Sequence, residues 1–155
     1  MKDIEDAILS FLQPHCGTSP VIRQLTGDGS TRRYFRITCP DGTFILCRDE
    51  SLASCPGEDY PFLIIHGLMA RAGIPVPEIL DLFRDYGLIL QEDMGDVLLE
   101  GYAASLSSDE LKDTYIRVLD ILCDIQSIGG SGSIPFGLSF DREKLLFEFD
   151  FFIQN

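Results

Sequence analysis

The fold is decided by residues 32–48, which read RRYFRITCPDGTFILCR. Two runs rich in apolar, aromatic and β-branched side chains, residues 32–38 and 43–48, flank the tripeptide Pro40-Asp41-Gly42. Such runs favour β-strands, and Pro, Asp and Gly are typical of a tight turn. The stretch therefore predicts an antiparallel hairpin.

A glycine-rich loop connects this hairpin to an earlier predicted strand, residues 21–26. The loop reads Gly27-Asp28-Gly29-Ser30-Thr31. Glycine has no Cβ, so backbone N–H groups in such a loop can approach a phosphate closely. The spacing of a P-loop is missing, and a strand follows the loop where a Rossmann-type turn needs a helix. The residues leave two interpretations open, an ordinary hairpin turn and a phosphate-binding loop.

The elements outside the hairpin follow from hydrophobic periodicity and from Gly, Pro and capping residues. A first helix begins at Asp3 and ends at Pro14 and Gly17, and Ser107 with Glu110 forms a capping box. We predict a loop over residues 49–57, helices over 58–72, 107–128 and 141–152, and strands over 79–83 and 87–91. The predicted fold class is α+β, with a five-stranded antiparallel sheet, one inserted helix, and further helices after the sheet.

Composition limits the classes of partner. The 155 residues are 45% hydrophobic and 24% charged, as in a globular protein, and the net charge of −13 argues against nucleic acid. Membrane spans and signal peptides are not indicated, since no apolar run is long enough and residues 1–5 are acidic. The five cysteines show no Cys-x-x-Cys pair, which predicts reduced thiols in a cytoplasmic protein.

Three segments in order carry a resemblance to a known family. They are residues 26–37 (TGDGSTRRYFRI), 73–79 (GIPVPEI) and 87–96 (GLILQEDMGD). Together they resemble the first half of the aminoglycoside phosphotransferase/choline kinase-like family. The branch they are most similar to includes cell-wall-recycling kinases that phosphorylate N-acetylmuramate and N-acetylglucosamine. The resemblance implies a protein-kinase-like N-lobe over residues 1–94 and the start of a helical C-lobe over residues 95–155.

The resemblance also implies cofactors and a substrate class. It implies ATP with Mg as the phosphoryl donor, and a sugar, amino-sugar or amino-alcohol hydroxyl as the acceptor. Carried over by position, the expected nucleotide site uses Gly27, Asp28, Gly29, Ser30 and Thr31 on the loop, and backbone atoms of Glu92, Asp93 and Met94 at the hinge.

One departure from the family concerns the basic residue of the third strand. No lysine lies between Lys2 and Lys112. Arg48 ends that strand, and Arg32, Arg33 and Arg36 follow the loop, so a phosphate clamp of arginines is one interpretation. The other is that these arginines are solvated or pair with nearby acids. Likewise, Glu58 and Asp59 either hold such an arginine or only favour the N-terminus of the inserted helix.

A second departure concerns the catalytic loop. The family form is His-x-Asp followed by a Mg-binding Asn, but His15 precedes Cys-Gly, His66 precedes Gly-Leu, and the one asparagine is Asn155. We therefore predict that these 155 residues alone are inactive and that the base and Mg ligands lie in a missing C-lobe. The apolar C-terminal segment should pair with that lobe or self-associate. Two alternatives remain: a non-catalytic nucleotide-binding module or pseudokinase, and an unrelated α+β domain.

Overall fold

The computed structural model describes residues 2–17, 19–26, 31–55, 59–131 and 135–154. The strands are β1 (Val21–Gln24), β2 (Arg33–Cys39), β3 (Gly42–Arg48), β4 (Ile79–Phe83) and β5 (Leu88–Glu92). The helices are α1 (Lys2–Cys16), α2 (Glu50–Ser54), α3 (Pro61–Arg71), α4 (Leu99–Ala103), α5 (Ser108–Ser127) and α6 (Arg142–Gln154), and a 3-10 turn covers Arg84–Tyr86. The predicted loop residues Gly27, Asp28, Gly29 and Ser30, and also Glu58, lie outside the described residues.

The strands form one antiparallel sheet in the order β1-β2-β3-β5-β4. Its register pairs Arg36 with Ile45 and then Ile45 with Gln91. The α+β class and the five-stranded sheet are therefore confirmed. The short β4–β5 connection depends on Gly87, which has φ 66°, and a Cβ there would collide with the backbone carbonyl of Asp49.

The sheet buries an apolar core on each face, because successive side chains of a strand point to opposite sides. The α1-side core packs Leu12 of α1 against Ile37, Leu46, Leu88 and Leu90, all fully buried or nearly so. The α3-side core packs Leu52 of α2 and Tyr60, the residue before α3, against Cys47 and Ile89. Strand β5 contributes to both cores. The two faces of the sheet thus pack against separate apolar clusters.

Several predicted elements need correction. The expected loop over residues 49–57 contains α2, so two helices are inserted before β4 in the described chain, where one was predicted. Asp49 caps α2, because its carboxylate accepts a hydrogen bond from the Ser51 backbone N–H at 2.9 Å. Helix α1 continues through Pro14 to Cys16, so Gly17 and not Pro14 marks its end. Helix α4 was not predicted.

Cys16 of α1 and Cys39 of β2 form a disulfide, with their Cα atoms 5.2 Å apart. The prediction of five reduced thiols is wrong for this pair. Cys47, Cys55 and Cys123 are free, and burial raises the pKa of the Cys47 thiol to about 11. Disulfides persist in oxidising surroundings, so in a reducing cytoplasm this pair would exchange with cellular thiols.

The helices after the sheet expose much apolar surface. The predicted capping box starts α5, where the Ser107 N–H donates to Glu110 at 3.0 Å. In α6, Phe149, Phe152 and Ile153 are 56%, 79% and 78% exposed. Exposed apolar side chains at this density are typical of an interaction surface.

Within the described ranges no helix combines the length and apolarity needed to cross a lipid bilayer.

Candidate functional site: a cleft between the sheet and helix α3

A cleft of about 390 Å³ lies between α3 and the sheet face that carries the α3-side core. Arg32 and Tyr34, just after the glycine-rich loop, line one end, and Gln91, just before the predicted hinge, lines the other. Helix α3 supplies an apolar wall that includes Phe62, Ile65 and Met69. The size and apolar lining are those of a small-molecule site.

Asp49 anchors the loop end of this cleft. Its carboxylate is buried and accepts hydrogen bonds from the Tyr60 hydroxyl at 2.5 Å, from Arg32 Nε at 3.2 Å and from Ser51 Oγ at 2.6 Å. The Arg32 guanidinium also lies 4.9 Å from the centre of the Phe62 ring. Arg32 is thereby held between β3, the start of α3 and the cleft, with about a third of its side chain exposed.

The pKa values of this cluster follow from burial and hydrogen bonding. Burial of Asp49 acts to raise the pKa of its carboxyl, but hydrogen bonds from Ser51, Tyr60 and Arg32 outweigh burial and lower it. Burial, with the adjacent Asp49 charge, raises the pKa of Tyr60 to about 12. Asp49 is therefore a carboxylate at neutral pH, and Tyr60 is a neutral hydrogen-bond donor.

Arg48 lies on the other face of the sheet. It pairs across the strands with Arg33 and Leu88, and Leu88 belongs to the α1-side core. Arg48 and Arg33 both approach Glu50, at 3.1 and 3.6 Å. With Thr31 they line a separate polar cavity of about 480 Å³. Cys47 of β3 therefore faces the cleft side of the sheet, and Arg48 faces the opposite side.

Asp93, one of the predicted hinge residues, forms an ion pair with Arg36 of β2. Arg36 pairs with Asp93 at 2.7 Å and with Asp96 at 2.7 Å, so one guanidinium joins β2 to the bend after β5. Hydrogen bonds from Arg36 lower the pKa of Asp96. Burial acts to raise the pKa of Asp93, but the Gly95 N–H and Arg36 outweigh it, so this pKa is also lowered.

The backbone of the bend is only partly engaged. The Glu92 N–H donates to the Glu78 carbonyl at 2.8 Å, and the Gly95 N–H donates to the Asp93 carboxylate at 3.0 Å. Met94, the third predicted hinge residue, is 63% exposed. Backbone hydrogen bonds therefore fix this bend at Glu92 and at Gly95, on either side of Met94.

The structure separates the predicted site residues into three groups. Arg32 lies in the cleft, and Thr31 and Arg48 line the polar cavity on the other side. Glu92, Asp93 and Met94 follow Gln91 along the chain but do not line the cleft. Sequence reasoning missed Asp49. This residue holds Arg32, a role that the sequence analysis suggested for Glu58 or Asp59. Asp49 directly after the predicted strand 43–48, with an acidic residue in the next position, was a usable N-cap signal. Across the described residues no three His, Cys, Asp or Glu side chains are grouped as a metal site.

Comparison with known proteins agrees with this architecture. A family model described as phosphotransferase enzyme family (APH) matches residues 21–153. The chain therefore belongs to the phosphotransferase enzyme family.

Two curated relatives are N-acetylmuramate/N-acetylglucosamine kinases. The Pseudomonas aeruginosa protein is 35% identical over 116 residues, covering 71% of this chain and 31% of that protein. The Neisseria meningitidis serogroup B protein is 26% identical over 126 residues, covering 81% of this chain and 36% of that protein. The chain spans about a third of the length of these relatives.

Proposed function

We propose that this chain is the nucleotide-binding part of an ATP-dependent small-molecule kinase that phosphorylates a sugar or amino-sugar hydroxyl. The observation that carries the proposal is the cleft, which is lined by the held Arg32 and by Gln91, the residue directly before the predicted hinge. Family membership and the names of the two relatives support the reaction class and the amino-sugar acceptor.

The cleft fits the base and the phosphates of ATP in different ways. Its apolar walls and volume of about 390 Å³ suit a flat aromatic base near Gln91 and the hinge. Arg32 supplies a guanidinium where the phosphates would lie, next to the glycine-rich loop 27–31. Bound ATP would supply the phosphoryl group, and Arg32 would neutralise part of its charge.

Asp49 and Tyr60 act on this site through Arg32. A guanidinium fixed by a buried carboxylate and by an aromatic ring loses less conformational freedom when it binds phosphate. The Mg ligands and the catalytic base are proposed to lie outside these residues, because no three metal-ligating side chains are grouped in the described part of the chain. The isolated chain is then a nucleotide-binding unit without turnover.

The proposed division places the N-lobe at residues 1–94 and the start of the C-lobe at residues 95–155. The exposed apolar side of α6 supports either coverage by further C-lobe helices or self-association. Light scattering of the purified chain separates these outcomes, since only self-association gives a concentration-dependent mass. The second candidate function, a non-catalytic nucleotide-binding module, rests on the absence of a His-x-Asp sequence from the chain.

Nucleotide titration followed by backbone NMR tests the proposal. ATP should shift resonances of residues 31–36 and 91–95, and Arg32→Gln should weaken binding about tenfold or more, because a charge-assisted hydrogen bond is lost. Arg117→Gln, on the exposed side of α5, is the matched control. Gly29→Val should also weaken binding, since branches would stand where the phosphates approach. Shifts confined to other surfaces would rule the cleft out.

An activity measurement decides between the two candidate functions. The proposed kinase predicts Mg-dependent phosphorylation of N-acetylmuramate or N-acetylglucosamine by a product that includes the expected C-lobe, and none by the 155 residues alone. The module predicts nucleotide binding without transfer in both cases. Turnover by the 155 residues alone would contradict both.

A further inference from the structure

A second cavity, of about 440 Å³, lies on α3 and contains two more arginines. Arg71 is the last residue of α3, and Arg84 begins the 3-10 turn after β4. Leu63, Ile64 and Leu68 of α3 form one wall, and Ser131 and Phe136 form another. We call this space the Arg71–Arg84 cavity.

The Arg71–Arg84 cavity is separate from the nucleotide cleft. The cleft is lined by Phe62, Ile65 and Met69 of α3, whereas this cavity is lined by Ile64 and Leu68. In a helix, positions three or four residues apart share a side, so these two sets lie on different sides of α3. A ligand in one cavity therefore leaves the other open.

The charges of this cavity lack acid partners within the described part of the chain. Arg32, Arg33, Arg36 and Arg48 of the sheet region each lie within 4 Å of a carboxylate, but Arg71 and Arg84 make no such pair there. The contrast matters because the chain carries 25 acidic residues against 12 Lys and Arg. Two arginines that line one cavity and have no carboxylate partner in the described chain place two positive charges where an anion could bind.

Arg84 also has an unsatisfied donor. Its Nη1 atom is buried and has no hydrogen-bond partner among the described residues. A buried donor on a charged group loses its hydration without replacement unless an acceptor enters. An oxyanion in the cavity would provide that acceptor.

Gly67 fixes the position of the second guanidinium. A Cβ at this glycine would lie 3.2 Å from Arg71 Nη1, so the guanidinium rests against bare helix backbone. A larger residue at position 67 would push Arg71 outward. The glycine thus lets a long, flexible side chain stay beside the cavity wall.

We propose that the Arg71–Arg84 cavity binds the phosphate group of a small phosphate monoester. Guanidinium groups match the tetrahedral oxygens of phosphate with paired N–H donors, and they remain charged at every physiological pH. A volume of about 440 Å³ exceeds what phosphate alone needs, and the leucines and the Phe136 ring offer an apolar surface for the rest of the ligand. The site is distinct from the ATP site of the proposed function and does not depend on it.

NMR titration of the 155-residue chain with inorganic phosphate and with phenyl phosphate, at constant ionic strength, tests this site. Both should shift resonances of residues 63–71 and 84, and phenyl phosphate should bind more tightly because its ring contacts the apolar wall. Arg84→Gln and Arg71→Gln should each weaken binding about ten- to a hundredfold, since each removes charge-assisted hydrogen bonds. Arg117→Gln should leave it unchanged.

Two further measurements keep the result interpretable. If Arg84→Gln fails to fold, Arg71→Gln, whose side chain is exposed at the end of α3, decides alone. Adenosine, which carries no phosphate, should shift the cleft residues and leave residues 63, 64, 68 and 84 unmoved. Unaltered binding of both phosphates in the two arginine variants, or no shift at these residues, would overturn the proposal.

Discussion

Replacing Asp49 with Asn tests whether the buried carboxylate organises the loop end of the lobe. The variant keeps the shape of the side chain, and its amide oxygen can still accept from Ser51. Its NH₂ group, however, would face the Arg32 Nε–H, which donates to the carboxylate at 3.2 Å in the wild type. Two donors would then oppose each other beside a guanidinium that has lost its counter-charge.

The expected cost is about 2 kcal/mol of unfolding free energy. Removing one partner of a buried ion pair costs about 3–5 kcal/mol, and a charged hydrogen bond contributes about 1.5–3 kcal/mol. The expected cost falls below the range for a buried pair and within that for a charged hydrogen bond, because the Arg32 side chain is 34% exposed and can turn towards water. For a domain of this size the melting temperature should fall by about 4–8 °C.

Urea unfolding at several pH values measures the effect. The native pKa of Asp49 is lowered, so its stabilisation is complete above the unfolded pKa of about 3.9 and is lost as the pH falls through the native pKa. The difference between wild type and Asp49→Asn should therefore be constant from neutral pH down to about pH 5, and shrink in more acidic solution. Asp120→Asn, on the exposed side of α5, should change stability by less than about 0.5 kcal/mol. A difference between the two variants that is absent, or that persists unchanged in acid, would refute the reasoning.

Three other predictions follow from single contacts. Spectrophotometric titration of the five tyrosines should show one group that ionises near pH 12 and is missing in Tyr60→Phe; an unchanged titration curve in that variant would contradict the assignment. Gly73→Ala and Gly87→Ala both place a Cβ at positive φ, which should lower the unfolding free energy by about 1–2 kcal/mol. Gly87→Ala should lower it by about 2 kcal/mol more, because only the Cβ at position 87 meets the Asp49 carbonyl. Equal unfolding free energies for the two alanine variants would show that the close approach at Gly87 is absent. Thiol titration of the denatured, air-oxidised chain should give three free thiols, rising to five after reduction, and five without reductant would exclude the Cys16–Cys39 bond.

The sheet was readable from the sequence because its signals are local. Alternating apolar residues and the Pro40-Asp41-Gly42 turn define β2 and β3, and their pairing follows from a tight turn. Helix α2 was missed because five residues carry too little periodicity to distinguish a helix from a loop.

The roles of the arginines were not readable, since they depend on which side chains the fold brings together. Arg36 reaches Asp96 across 60 positions of sequence, and Asp49 meets Arg32 only once β3 and β2 are paired. Alternation along β3 puts Arg48 on the same face as Leu46. Which face α3 covers depends on tertiary packing, so the sequence alone could not show that Arg48 lies away from the cleft.

The position of β5 has a consequence for synthesis on the ribosome. The strand is the fifth to be made but lies between β3 and β4 in the sheet, and its Leu88 and Leu90 fill one core while Ile89 fills the other. Translation adds about 5–20 residues each second, so β1, β2 and β3 emerge several seconds before the strand that completes their apolar contacts. During that interval the inner edge of β3 is an unpaired strand edge, which is open to association with other nascent chains. We therefore expect this lobe to fold cooperatively when residue 92 leaves the exit tunnel. Pairing of β5 with β3 then removes the unpaired strand edge.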